Sequence, residues 1–132
     1  MAPIFVDTSV WVAIVDARDP HHGRAADWAE RHQGRLVTST DTFDETITLV
    51  LKRCGHDAAV KTGDLLRRPL DVELIEVTEE DRDAAWGLFM ARSDKKYSFT
   101  DCTSFAVMRR LAIQEAATFD RDFEREGFKI VV

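Results

Sequence analysis

Short apolar runs alternate with longer stretches of helical periodicity along the whole chain, the signature of strands joined by helices in a mostly parallel sheet. Ile4 to Asp7 reads as a first strand. From Thr8 to Asp16 the chain is apolar on nearly every side through Val10, Trp11, Val12, Ile14 and Val15. The helix it predicts is therefore sandwiched in the core or covered by another chain. Asp19-Pro20 breaks it. Ala25, Trp28, Ala29 and His32 form the stripe of a second helix that stops at Gly34, and Leu36 to Ser39 follows as a strand. A third helix starts near Thr42, with Phe43, Ile47, Val50, Leu51 and Cys54 on one face and Gly55 as its stop. A fourth runs from about Asp57 to Arg68, before Pro69. Asp71 to Val77 alternates as a strand, and Glu79 to Arg92 returns to helix with Ala85, Leu88 and Phe89 facing in. After a polar loop from Ser93 to Ser98, a helix from Thr100 to about Ala112 precedes a strand near Ala116 to Phe119. A short helical turn and a closing strand, Lys129 to Val132, complete the pattern. It predicts a three-layer α/β/α fold around a parallel sheet of about four or five strands. With no internal repeat, low-complexity stretch or linker, residues 1–132 read as one domain.

A chain of 132 residues buries about two-thirds of the surface its unfolded form exposes, enough to fold without covalent staples. Cys54 and Cys102 stand apart from any second ligand at zinc spacing and read as small buried apolar residues. The apolar start Ile4-Phe5-Val6 meets Asp7 too early for a signal peptide, and no apolar run approaches the ~20 residues of a membrane span. A cytoplasmic protein with no membrane association is expected. The net charge of −6 runs against nucleic-acid binding, which usually shows as an excess of Lys and Arg. The basic residues do fall in local pairs, Lys52-Arg53, Arg67-Arg68, Lys95-Lys96 and Arg109-Arg110, each of which reads first as a solvated face.

The candidate chemistry is carboxylate chemistry. In open parallel sheets ligands gather beyond the carboxyl ends of the strands, where strand order reverses. Asp7 ends the first strand and Asp120 follows a late one. Asp101 shares a helical stripe with Phe105, Met108 and Ala112, and an inward charge of this kind needs a partner. Each acid also has a local explanation, with Asp7 and Asp101 favouring helix starts and Glu45 fitting a capping box with Thr42. Glu45 lies opposite the apolar face of its helix, and Asp122 reads as solvated. If Asp7, Glu45, Asp101 and Asp120 converge, carboxylates about 4 Å apart at an effective dielectric near 20 repel by roughly 4 kcal/mol per contact. That rivals a domain's entire stability. Such a cluster persists by taking up protons or cations, and all-oxygen ligands select hard ions such as Mg²⁺ or Mn²⁺. Two such ions suit in-line hydrolysis of a phosphodiester with water as nucleophile.

These residues also stand in a recognisable order. Val6-Asp7-Thr8-Ser9, Thr38-Ser39 followed by Glu45, Ser98-Phe99-Thr100-Asp101-Cys102 and Ala117-Thr118-Phe119-Asp120 span nearly the full length. With them the chain resembles PIN-domain ribonucleases, and among these the VapC-like toxins of toxin–antitoxin pairs. The resemblance implies that Asp7, Glu45, Asp101 and Asp120 form a catalytic Mg²⁺ or Mn²⁺ site, supported by the hydroxyls of Thr8, Ser9 or Thr118. It implies an endoribonuclease that works as a homodimer and whose antitoxin partner covers the active-site cleft. The position of Asp122 varies in such relatives, which leaves its role open. Lys95 and Lys96, in the loop before Asp101, are candidate RNA contacts, whereas His21 and His22, near a helix start, could touch RNA but, isolated from other candidate catalytic residues, read first as solvated.

Three other classes fit less well. An aspartate-based phosphatase would carry an Asp two places beyond Asp7, where Ser9 stands. A phosphoryl-accepting receiver domain would need an Asp after a middle strand and a Lys after a late one, positions held here by Thr78-Glu79 and Phe119-Asp120. A non-catalytic binding module on the same fold would be free to lose one of the acids, and the full set counts against it.

Overall fold

The computed structural model describes residues 2–69 and 72–132. Five parallel strands, β1 (Ile4–Val6), β2 (Leu36–Ser39), β3 (Glu73–Ile75), β4 (Glu115–Ala117) and β5 (Lys129–Ile130), form one sheet in the order β3-β2-β1-β4-β5. Asp71, at the start of the strand expected there, lies outside the described residues. The helices are α1 (Thr8–Val15), α2 (His22–Arg31), α3 (Thr40–Cys54), α4 (His56–Leu66), α5 (Glu79–Ala91), α6 (Phe99–Arg110) and α7 (Asp122–Arg125). The central strand shows how the layers arise, because alternate side chains leave a strand on opposite faces. Phe5 enters a core with Phe105, Phe123 and Phe128, beneath α6 and α7. Ile4 and Val6 enter another with Val10, Trp11, Ala25 and Leu66, beneath α1, α2 and α4. Both faces of the short strands are thus covered, as an all-parallel sheet requires.

The helix that is apolar all round is the sandwiched one. α1 packs against both α2 and α3 and buries Val10, Trp11, Val12 and Ala13. Trp11 sends its indole N–H to the Thr38 hydroxyl at 3.3 Å, and Thr38 in turn donates to the Val6 carbonyl at 2.9 Å, so the buried indole N–H and the Thr38 hydroxyl are both satisfied.

Five details of the pattern are corrected. α3 begins two residues before Thr42, because Ser39 accepts the Thr42 N–H and caps it. Its buried face is Thr42, Thr46 and Val50, while Leu51 is 47% exposed. The apolar stripe through Phe43 and Ile47 faces the neighbouring helix instead, where Ile47 lies over Gly63 of α4. On α5, Leu88 packs against the core but Phe89 turns outward beside Trp86 and Phe99. Cys102 is buried, but Cys54 is exposed at the end of α3. Finally, α6 stops at Arg110 and Ala112 takes a left-handed conformation (φ 55°), with Ala112 N–H bonded to the Arg109 carbonyl and Ile113 N–H to that of Met108. This is a Schellman closure with alanine where glycine is usual, so Ala112 leaves the stripe of Asp101.

Candidate active site

The order of the strands reverses between β1 and β4, and the carboxyl ends of these two open into a cleft of about 320 Å³. Asp7, Glu45, Asp101 and Asp120 all line it. They arrive from four places: the end of β1, the middle of α3, the first turn of α6 and the loop after β4. Asp7 stands at the start of α1 but makes no side-chain cap there. Its Oδ2 instead accepts hydrogen bonds from the Ser9 and Thr118 hydroxyls, both at 2.9 Å. Those hydroxyls accept in turn from the backbone N–H groups of Phe119 (3.0 Å) and Asp120 (2.9 Å). One oxygen of Asp7 is thereby saturated and oriented by the β4 loop. Thr8, by contrast, is buried at the cleft, but its hydroxyl has no partner among the described residues.

Asp101 carries the local role foreseen for it as well. It closes a capping box at the head of α6: its Oδ2 accepts the Ser98 N–H and Ser98 Oγ accepts the Asp101 N–H, both at 3.0 Å. The cap holds one carboxylate oxygen, so the same residue can serve α6 and the cleft. For Glu45 the capping explanation fails, since α3 is capped at Ser39, a full turn earlier than a Thr42–Glu45 box requires. With Thr42, Thr46 and Val50 buried, Glu45 and Leu49 lie along the flank of α3 that borders the cleft.

Asp122, whose role the sequence left open, stands beside two of these acids. The Asp122 N–H donates to Asp120 Oδ1 at 2.9 Å, and the turn brings carboxylate oxygens of Asp101, Asp120 and Asp122 within 4.8 Å of one another. Phe123, fully buried next to it, anchors that turn to the core. The Asp-Arg-Asp spacing ahead of a buried aromatic was the available signal. Asp122 is also paired with Arg125.

Burial and crowding set the titration of the group. Burial drives Asp7 up to about 6, against the lowering effect of Ser9 and Thr118, and the nearby Glu45 charge pushes the same way. Burial drives Asp101 to about 7, with further pressure from the Asp7 and Asp120 charges. Asp120 is raised too, chiefly by burial and then by Asp122. Acids in this state are stabilised by a proton or a cation. The donor set is all oxygen and suits a hard divalent ion, with Asp101, Asp120 and Asp122 close together and Asp7 and Glu45 lining the same cleft as Asp101 and Asp120.

Other predicted positions fall elsewhere. Lys95 pairs with Asp94 and lines a separate groove with Trp86, Phe89 and Met90. Arg109 and Arg110 are committed to Glu126 and Asp81. The cleft's basic side chains come from unexpected places: Arg53, held by Asp19 at 3.1 Å, and His21, whose ring stacks on Phe119 at 4.3 Å. His22, its neighbour, turns away to the Ala13 carbonyl at 2.7 Å.

Comparison with known proteins agrees with this geometry. Residues 4–129 match the model of the PIN domain. The chain is 43% identical over 126 residues, 95% of each protein, to the 23S rRNA-specific endonuclease VapC20 of Mycobacterium tuberculosis. The crystal structure of M. tuberculosis VapC20, described as a sarcin–ricin loop cleaving toxin, superposes with a TM-score of 0.92 at 41% identity, covering 97% of this chain and 98% of that one. FitAcB from Neisseria gonorrhoeae shares the fold at a TM-score of 0.72 and 16% identity, covering 98% and 96%.

Proposed function

The chain belongs to the PIN-domain family, and from that premise we propose that it is a metal-dependent endoribonuclease, the toxin of a toxin–antitoxin pair, acting on the sarcin–ricin loop of 23S ribosomal RNA. The observation that carries the reading is the convergence of Asp7, Glu45, Asp101 and Asp120 on one cleft at the switch point of the sheet, joined there by Asp122. Support for this target comes from 43% identity along nearly the whole length to an enzyme named for 23S rRNA and from the likeness to a structure described as a sarcin–ricin loop cleaving toxin.

Asp7, Glu45, Asp101 and Asp120, with Asp122, would hold Mg²⁺ or Mn²⁺. The chemistry such an ion would supply there is the activation of water for attack at phosphorus and the stabilisation of the departing oxygen. The chain's own part is orientation. Ser9 and Thr118 hold one oxygen of Asp7, the Ser98 box holds one oxygen of Asp101, and the turn at Asp120 sets Asp122. Asp7 and Asp101, raised to about 6 and 7, would give up their protons if they held the ion.

Protein partners belong to the same reading: an antitoxin over the cleft and a second copy of the chain. Support comes from apolar side chains left on the surface, Trp86, Phe89 and Met90 on α5, and Leu51 and Val60 along α3 and α4. Among the described residues no helix is long and apolar enough to cross a membrane, and we place the protein in the cytoplasm.

The test is cleavage of ribosomes and of total RNA by the purified protein with Mg²⁺, with Mn²⁺ and with chelator, beside Asp7→Asn and Asp101→Asn. Discrete 23S fragments that require metal and disappear in both variants are expected. Fragments that persist in chelator or in both variants would remove the acidic cleft from the chemistry.

A further inference from the structure

A second groove, of about 450 Å³, adjoins the acidic cleft, and His21 lines both. We propose that this second groove is the seat of the RNA strand beside the cleaved bond, with a nucleobase stacked at His21 and Phe119 and flanking phosphates met by Arg24 and Arg121; this rests on the ribonuclease reading.

The groove is built on the same hydrogen bonds as the acids. The Phe119 N–H donates to Ser9 Oγ, the hydroxyl that holds Asp7, and the His21 ring lies nearly parallel to Phe119, 12° between planes at 4.3 Å. The His21 backbone is held in turn by Asp19 Oδ1 at 2.8 Å. A flat surface is thus fixed at the border between the acids and the groove, and it is solvent-exposed at His21. Arg24 stands 5.3 Å from the Phe119 ring centre and donates to the Val132 carbonyl at 3.2 Å. The Arg121 side chain is 79% exposed and its acid neighbour, Glu124, is 3.7 Å away. Aromatic faces interleaved with cations are what single-stranded nucleic acid requires, because bases stack while phosphates seek charge. In a chain of net charge −6, two arginines and an imidazole beside the acidic cluster supply the attraction for RNA that the cluster itself opposes.

The test uses a sarcin–ricin-loop hairpin carrying 2-aminopurine in turn at each loop position, in Mg²⁺, with His21→Ala, His21→Phe and the double variant Arg24→Gln/Arg121→Gln. These side chains are exposed, and unchanged thermal melts verify folding. At one position the wild type should quench the fluorophore on binding. His21→Ala should lose the quench and raise KM about tenfold with kcat within about twofold, and His21→Phe should restore both. The arginine pair should lower the slope of log KM against log salt by about 1.4, about 0.7 for each phosphate contact on a single strand. Wild-type KM, quench and salt slope in all variants overturn the proposal, as does His21→Phe behaving like His21→Ala. Quenching without cleavage by the wild type in any metal would leave the groove standing and remove the nuclease. Cleavage by the wild type with all variants unaffected would do the reverse, and neither quenching nor cleavage would remove both.

Discussion

The Thr118 hydroxyl donates to Asp7 Oδ2 at 2.9 Å across 111 residues of sequence while accepting the Asp120 N–H. One threonine therefore orients two acids, from the ends of two neighbouring strands. Replacing it with valine keeps the shape and removes both bonds. Thr118→Val should weaken Mg²⁺ or Mn²⁺ binding by about 10- to 100-fold, the usual effect of losing a group that orients a ligand. It should also cost about 1–3 kcal/mol of stability for the unpaired N–H and carboxylate. Thr118→Ser should retain both, as calorimetric titration and denaturant melts would show.

Asp7 should make the metal-free protein less stable as pH rises. Its folded-state pKa, about 6, lies above the ordinary 3.8, so between these values the folded chain holds a proton that the unfolded chain has released. Stability is greatest below about pH 4 for this group, falls through the interval and stays low above it. At pH 8 the penalty is about 3 kcal/mol. Asp7→Asn, which can still accept from Ser9 and Thr118, should recover much of it at pH 8 and change little at pH 4. A variant with no gain at pH 8 would contradict the buried charge.

Metal binding should show the same acids from the other side. Because Asp7 and Asp101 titrate near 6 and 7, affinity for Mn²⁺ should climb from pH 5 to pH 8, and protons should be released at the lower pH. Calorimetry in buffers of differing ionisation enthalpy measures that number. No buffer dependence at pH 6 would mean that these carboxylates do not meet the ion.

Asp122 gives a sharper test of which acids hold the ion. With its carboxylate inside the group of Asp101 and Asp120, Asp122→Asn should lower metal affinity at least tenfold. Glu124→Gln, at an exposed position two residues on, should leave it unchanged. Equal effects would mean that Asp122 acts only through general charge.

Asp81 is a structural acid. Burial alone would raise its pKa, but the Arg110 guanidinium and the Thr78 cap outweigh that and hold it below the ordinary carboxylate value. Its contribution is therefore complete above about pH 4 and lost as pH falls below. Asp81→Ala should cost about 3 kcal/mol at pH 7 through the lost cap and ion pair, without altering kcat at temperatures where the variant is folded.

What the sequence determined by itself was the set of elements and the strand-end acids. Period-two and period-3.6 runs report which face a residue takes within its own element, and parallel strands place their carboxyl ends together, so Asp7 and Asp120 were legible as neighbours. Tertiary structure decided everything that depends on which neighbour meets that face. Glu45 turns to the cleft because α3 buries the threonines at 42 and 46 against the sheet and α6, a choice that hydrophobicity alone points away from. Phe89 faces out because α6 already fills the space beneath α5 at Ala85 and Leu88. Asp122 joins the acids, and His21 meets Phe119, through turns in which an Asp side chain accepts the backbone N–H two residues on. Arg109 and Arg110, adjacent in the chain, find separate partners 17 and 29 residues away. Local pattern carries the direction of a side chain, and only the packed fold supplies the group waiting there.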